Sequence, residues 1–223
     1  MALSGNRGKR RATPPTLVVL VRHGQTATTG KELPGRRPGL HLSDVGEQQA
    51  KTVAERVAGL QTDKRKVAAV YASPLERTRE TAAPIAEALG LEVQVDDGLL
   101  EMDFGEWTGI DLAAARKKAE WKTIQRYPSG FRFPGGESFA EMQARIVTTL
   151  DRLRTTHPGE VVVAVSHADP IRVAVAHAMG THLDLFQRVV VSPCSMTAIA
   201  LGDEGPTVLT VNVTDDARSL IPS

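Results

Sequence analysis

The chain has 223 residues, 41% of them hydrophobic, enough to bury a full core in one domain. Lys and Arg number 27 against 26 Asp and Glu, so a formal charge of +1 gives no bulk attraction to nucleic acid or membrane. Aromatic residues are 4%, too few for a single-strand stacking platform. The single cysteine, Cys194, excludes an internal disulfide and a thiolate metal cluster, which fits a reducing cytoplasm.

In chain order, residues 1–15 are basic and Gly/Pro-rich, with no apolar stretch after the charges. They predict a disordered tail rather than a signal peptide, ahead of one domain over 16–223. No window reaches transmembrane length. Short β-branched runs predict strands over 17–21, 67–71, 161–165, 196–201 and 208–213, with a weaker one over 92–95. The continuous run "VVVAV" (161–165) implies a strand covered on both faces. Helices are predicted between them. One over 44–60 is capped by Ser43 or Asp44, and one over 75–89 stops at Gly90. Another spans 137–156 with a stripe at Phe139, Met142, Ile146, Leu150 and Leu153, and one spans 171–179. Residues 109–122 read as an exposed, lysine-rich helix, and 121–136 as a pocket-lining loop. The alternation predicts an α/β three-layer sandwich with a mostly parallel central sheet flanked by helices.

Ligands of such sheets sit beyond the carboxyl ends of the strands. There the sequence places Arg22 and His23 with Gly24 after the first strand, Arg77 after the second, Ser166-His167 after "VVVAV", and Glu101 in "LLEMDFGEW". The set suits phosphoryl transfer. A neutral imidazole can attack phosphorus, guanidiniums can hold phosphoryl oxygens, and a carboxyl can protonate the leaving oxygen. Gly24 lets the backbone approach the phosphate. No H-E-x-x-H or comparable metal spacing occurs, so neither a metal nor a cofactor is expected. His41, His157, His177 and His182 read as surface or cap residues, and Trp107 as core.

The stretch "LVVLVRHGQT" resembles the R-H-G-x-T motif of the histidine phosphatase superfamily, the phosphoglycerate-mutase-like enzymes. "LHLSDVGEQQA", "ASPLERTRETA", "LLEMDFGEWTG", "FPGGES" and "VVVAVSHADPIR" are similar to its later motifs, in the same order, over roughly residues 17 to 200. Residues 26–39 resemble an actinobacterial subgroup labelled phosphomutases. The resemblance implies that His23 accepts phosphate and Glu101 donates the proton. It assigns the phosphate pocket to Arg22, Arg77 and His167, with the Ala168 amide alongside. It puts Thr29 where the family often has asparagine, and Ala168 where it usually has glycine. Arg36, Arg37, Arg126 and Arg132 lie in loops that could rim the pocket, where Arg36 would meet a second anionic group.

The resemblance implies a small phosphorylated substrate and no nucleic-acid or membrane partner, and it leaves room for a homodimer. Only 32 residues separate Glu101 from Pro134, the compact arrangement of the family's phosphatases. That favours hydrolysis through a phosphohistidine over phosphomutase action. A non-catalytic phosphate binder is a third reading.

Overall fold

A computed structural model describes residues 14–62 and 65–214. The predicted tail lies outside the described residues except for Pro14 and Pro15. Six strands form one sheet: β1 (Thr16–Arg22), β2 (Val67–Ala72), β3 (Val93–Val95), β4 (Val161–Ser166), β5 (Met196–Gly202) and β6 (Gly205–Val213). Their order is β3-β2-β4-β1-β5-β6. β3, β2, β4 and β1 are mutually parallel, and β5 runs against both its neighbours. The sheet is therefore mixed but mostly parallel, flanked by helices as the alternation predicts.

The helices are α1 (Asp44–Ala58), α2 (Glu76–Leu89), α3 (Leu112–Ala115), α4 (Trp121–Arg126), α5 (Phe139–Thr156) and α6 (Ala168–Ala178). The central strands are buried on both faces. Val18 and Leu20 of β1, with Val162 and Ala164 of β4, face the core that holds Ile146 and Leu153 of α5 and Ile171 of α6. Val19, Val21, Val163 and Val165 face the other core, with Val53 of α1 and Ile85 of α2. This period of two, apolar on both sides, makes β1 and β4 rigid mounts.

Local chemistry sets the helix boundaries. Ser43 caps α1, its hydroxyl accepting from the Gly46 amide. Ser138 and Glu141 form a capping box that starts α5 two residues later than its pattern suggests. The predicted helix over 109–122 does not form as one piece. Asp111 caps a four-residue α3 in which only Ala115 is buried. The following "RKKAE" offers no apolar face to pack, and short helices need packing to persist. The predicted loop 121–136 in turn opens with α4, because Ile124 is buried and Trp121 packs against the core. α4 ends at Tyr127, before Pro128.

Gly24 joins β1 to α1 under tight constraint. A Cβ there would lie 2.6 Å from the backbone oxygen of Gly46, which no side-chain movement can relieve. Gly24→Ala is expected to cost about 1–3 kcal/mol, as overpacking does. Urea unfolding of the variant against the parent checks this.

Candidate active site

The parallel register of β1 and β4 places Arg22 opposite Ser166, and the His23 amide donates to the Ser166 carbonyl at 3.0 Å. The next residue on each strand is a histidine. His23 and His167 therefore emerge side by side, ring centroids 5.2 Å apart and edge to face. β2 ends beside them, where the Ser73 amide donates to Val165 O and its Oγ lies 2.9 Å from His167 Nε2. One turn later α2 delivers Arg77, fully buried. Glu101, 8% exposed, arrives from the irregular segment after β3.

His23 Nδ1 lies 2.7 Å from the Gly24 carbonyl. A carbonyl only accepts, so Nδ1 carries the proton and the Nε2 of the neutral ring keeps its lone pair. Burial, then the charges of Arg22 and Arg77, hold the His23 pKa well below the ordinary imidazole value. Burial, then Arg77 and His23, do the same to His167. Glu101 moves the opposite way. Burial and the charge of Asp169 push its carboxyl up to about 7, while its Oε1 accepts from the Met102 amide at 2.9 Å. Its Oε2 lies 3.9 Å from His167 Nδ1, too far for a hydrogen bond.

Each arginine is anchored by one nitrogen and leaves others unpartnered. Arg22 gives Nη1 to Val191 O at 2.7 Å, and Arg77 gives Nη2 to Gly35 O at 2.8 Å. Among the described residues six buried side-chain polar atoms lack a hydrogen-bond partner, and four belong to this site: Arg22 Nε, Arg77 Nε, Arg77 Nη1 and His167 Nδ1. Buried polar groups are almost always satisfied. Three open guanidinium nitrogens and one imidazole nitrogen are what a bound anion would complete. Outward from Arg22 and Glu101, past Ala168 at the start of α6, opens a cavity of about 500 Å³.

Of the predicted residues, Arg22, His23, Arg77, Glu101 and His167 are brought together. Thr29 lines the cavity, its Oγ1 accepting from the Thr26 amide at 2.9 Å and lying 3.0 Å from Thr26 Oγ1. Gly24 is otherwise engaged, since its amide donates to Thr81 Oγ1 at 3.0 Å and its α-carbon packs on Gly46. Arg36 gives Nε to the Glu101 carbonyl at 2.9 Å and Nη2 to Glu137 at 3.0 Å. Arg37 pairs with Glu32, and Arg132 with Glu141. His41 pairs with Glu80 at the surface and His182 caps a 3-10 turn. Among the described residues no three His, Cys, Asp or Glu side chains are placed to share a metal ion.

Sequence reasoning missed the support around Glu101. Glu137 grips Arg145 through both carboxylate oxygens, each at 2.9 Å. Arg145 Nη1 donates to the carbonyls of Gly98 and Leu100 at 3.0 and 2.8 Å. The available signals were the "GGES" motif and an arginine eight residues beyond its glutamate.

Together, two neutral imidazoles, two buried guanidiniums and a high-pKa carboxyl at one sheet edge make an arrangement suited to a compact anion. The comparisons specify it further. The model of the histidine phosphatase superfamily (branch 1) matches residues 18–214. The chain belongs to that superfamily and is an enzyme of this class. It is 31% identical over 210 residues to phosphoserine phosphatase 1 of Hydrogenobacter thermophilus, covering 88% of this chain and 92% of that protein. It is 36% identical over 180 residues to the bifunctional protein Rv2228c of Mycobacterium tuberculosis, covering 77% of this chain. There it spans only 48% of the relative's length. The mycobacterial glucosyl-3-phosphoglycerate phosphatase Rv2419c superposes with a TM-score of 0.78 at 25% identity, over 92% of this chain and all of that one. Among the described residues no helix is long and apolar enough to cross a membrane.

Lowered pKa values mean that both rings stay neutral at a pH where ordinary imidazole is half charged. The ring C–H shifts of His23 and His167, followed by NMR from pH 8 to about 6, are expected to remain those of neutral imidazole while exposed His41 titrates.

Proposed function

We propose that this enzyme hydrolyses small phosphomonoesters through a phosphohistidine on His23, using its own side chains and no metal. The observation that carries the reading is the neutral His23, its Nδ1 proton fixed on Gly24 O, facing buried nitrogens that have no protein acceptor. The phosphoryl oxygens complete those nitrogens: Arg22 Nε, Arg77 Nε and Nη1, and His167 Nδ1. With Ser73 Oγ as donor to His167 Nε2, the proton of the neutral ring sits on Nδ1 and points at the phosphate. The arriving dianion also favours a positive charge on His167, opposing the burial that lowers its pKa.

His23 Nε2 attacks phosphorus in line, and the P–N bond forms as the ester P–O bond breaks. Glu101, protonated up to about pH 7, gives its proton to the departing alkoxide. The carboxylate so formed takes a proton from water, whose oxygen attacks phosphorus and expels the imidazole. Phosphate leaves with His23 and Glu101 restored. Preorganised charge supplies most of the catalysis, as phosphoryl transfer requires. Relatives named as phosphatases of phosphoserine and of glucosyl-3-phosphoglycerate support a small phosphorylated metabolite as substrate. The single buried cysteine fits work in a reducing compartment, which we take to be the cytoplasm.

Four outcomes test the reading. His23→Ala is expected to keep the fold and lose turnover, measured as phosphate release without metal. The acid form of Glu101 is lost as pH rises through about 7, so kcat/KM for alkyl phosphates is expected to fall above that pH. Glu101→Gln removes the limb and slows alkyl esters by about 10²–10⁴, with p-nitrophenyl phosphate far less affected. Any turnover of 3-phosphoglycerate, however slow, is expected to release phosphate; formation of 2-phosphoglycerate without phosphate would make the enzyme a mutase.

A further inference from the structure

The cavity beyond Arg22 and Glu101 is much larger than a phosphoryl group, and its wall exposes more apolar than polar surface. Leu33 of the loop after β1, Leu112 of α3 and Trp121 of α4 stand half-buried around it. Phe104, Ile124 and Phe133 form the deeper surface. Most charges in the wall are already committed, Arg22 and Glu101 at the phosphate end. Glu32 holds Arg37 at 2.9 Å. Asp169 holds Arg172 Nη1 at 2.9 Å, and Arg172 Nε donates to Val189 O at 3.0 Å. Gln187 Nε2 donates to Ile124 O at 3.1 Å. The remaining cation, Arg116, sits on an exposed position. Arg36, two residues beyond Pro34 of the wall, is spent on Glu137 and the Glu101 carbonyl.

A carboxylate drawn into this compartment would give up water without gaining a buried cation other than Arg22, which the phosphoryl group takes, an unfavourable exchange. An alkyl or aryl group would gain from burial against Leu33, Leu112 and Trp121. We infer that the leaving-group compartment selects an uncharged, apolar alcohol, so that the enzyme's substrates are phosphomonoesters of apolar alcohols rather than of small hydroxy or amino acids. The inference rests on the phosphatase reading for turnover, but not for binding.

The two are separated by measuring binding and hydrolysis independently. Binding of ethyl-, butyl- and hexylphosphonate, which carry no ester to cleave, is followed by calorimetry on the wild-type chain. One fully buried methylene is worth up to about fourfold, so the Kd is expected to tighten by at least about tenfold from ethyl to hexyl. A phosphonate carrying an α-amino acid group should bind no more tightly than the ethyl compound. Leu112→Ser and Trp121→Ala should each flatten the chain-length slope and leave the affinity for inorganic phosphate within about twofold, since neither touches the phosphate pocket. A flat slope in the wild type, or tighter binding of the amino-acid phosphonate than of hexylphosphonate, overturns the inference whatever the variants do. Phosphate release from hexyl phosphate and from phosphoserine reports the other reading. A clear slope with no ester hydrolysed leaves the inference standing and removes the hydrolase. Hydrolysis with phosphoserine both bound and turned over best does the opposite.

Discussion

The parallel pairing of β1 with β4 is the constraint from which the site follows. Arg22 sits opposite Ser166, so the two histidines that come next leave the sheet at the same level. A slip of one residue would send one ring to the other face of the sheet. The packed cores on both faces oppose such a slip, since on the slipped strand Val18 and Leu20 would exchange places with Val19 and Val21, or Val162 and Ala164 with Val163 and Val165. The packing that stabilises the fold therefore also fixes the distance between His23 and His167. β2 and α2 are placed by the same sheet and bring Ser73 and Arg77 to the same edge.

Burial then sets the protonation states. Removing a group from water disfavours its charged form, so the same environment lowers the imidazoles and raises the carboxyl. Up to about pH 7 the site thus pairs an unprotonated imidazole with a carboxyl that keeps its proton, as a nucleophile and an acid would require. Arg22 and Arg77 stay charged and reinforce the neutral state of His23. Stability is reduced in exchange, because each buried nitrogen without a partner costs about 1–3 kcal/mol. The protein thus holds ready, at some cost to folding, contacts that an anion completes.

Much of this was legible in the sequence. The β-branched runs gave β1, β2, β4 and β5, and Ser43 and Gly90 marked helix ends correctly. The residues at the strand ends are also those the structure gathers. What stayed hidden depended on packing between distant segments. Residues 109–122 have helical propensity but no apolar stripe, and only α3 survives. Ile124 and Trp121 find the core and turn a predicted loop into α4. Gly24 read as a phosphate-facing glycine, yet its missing side chain makes room for Gly46, a contact that no local pattern announces. Arg36 read as a substrate contact and is instead held by Glu137 and the Glu101 carbonyl. All five phenylalanines and Trp107 form one continuous series of ring contacts beneath the cavity. The low aromatic content had concealed that concentration.

The support of Glu101 shows why a motif far along the chain belongs to the site. Residues 96–107 form no helix of full length and no ladder, only 3-10 turns, so this segment cannot aim a side chain by its own regularity. Its carbonyls are held from outside. Arg145 of α5 takes those of Gly98 and Leu100, and Arg36 takes that of Glu101. Two guanidiniums side by side would repel, and Glu137 lies between them with bonds of 2.9–3.0 Å to both. Glu137 is also tied to the same segment by its amide, which donates to Asp103 O at 2.9 Å. Ser138 fixes where α5 begins, and so where Arg145 falls along it. The "GGES" segment thus reaches the carboxyl through one anion, two cations and three carbonyls, and it holds Glu101 without lining the cavity itself.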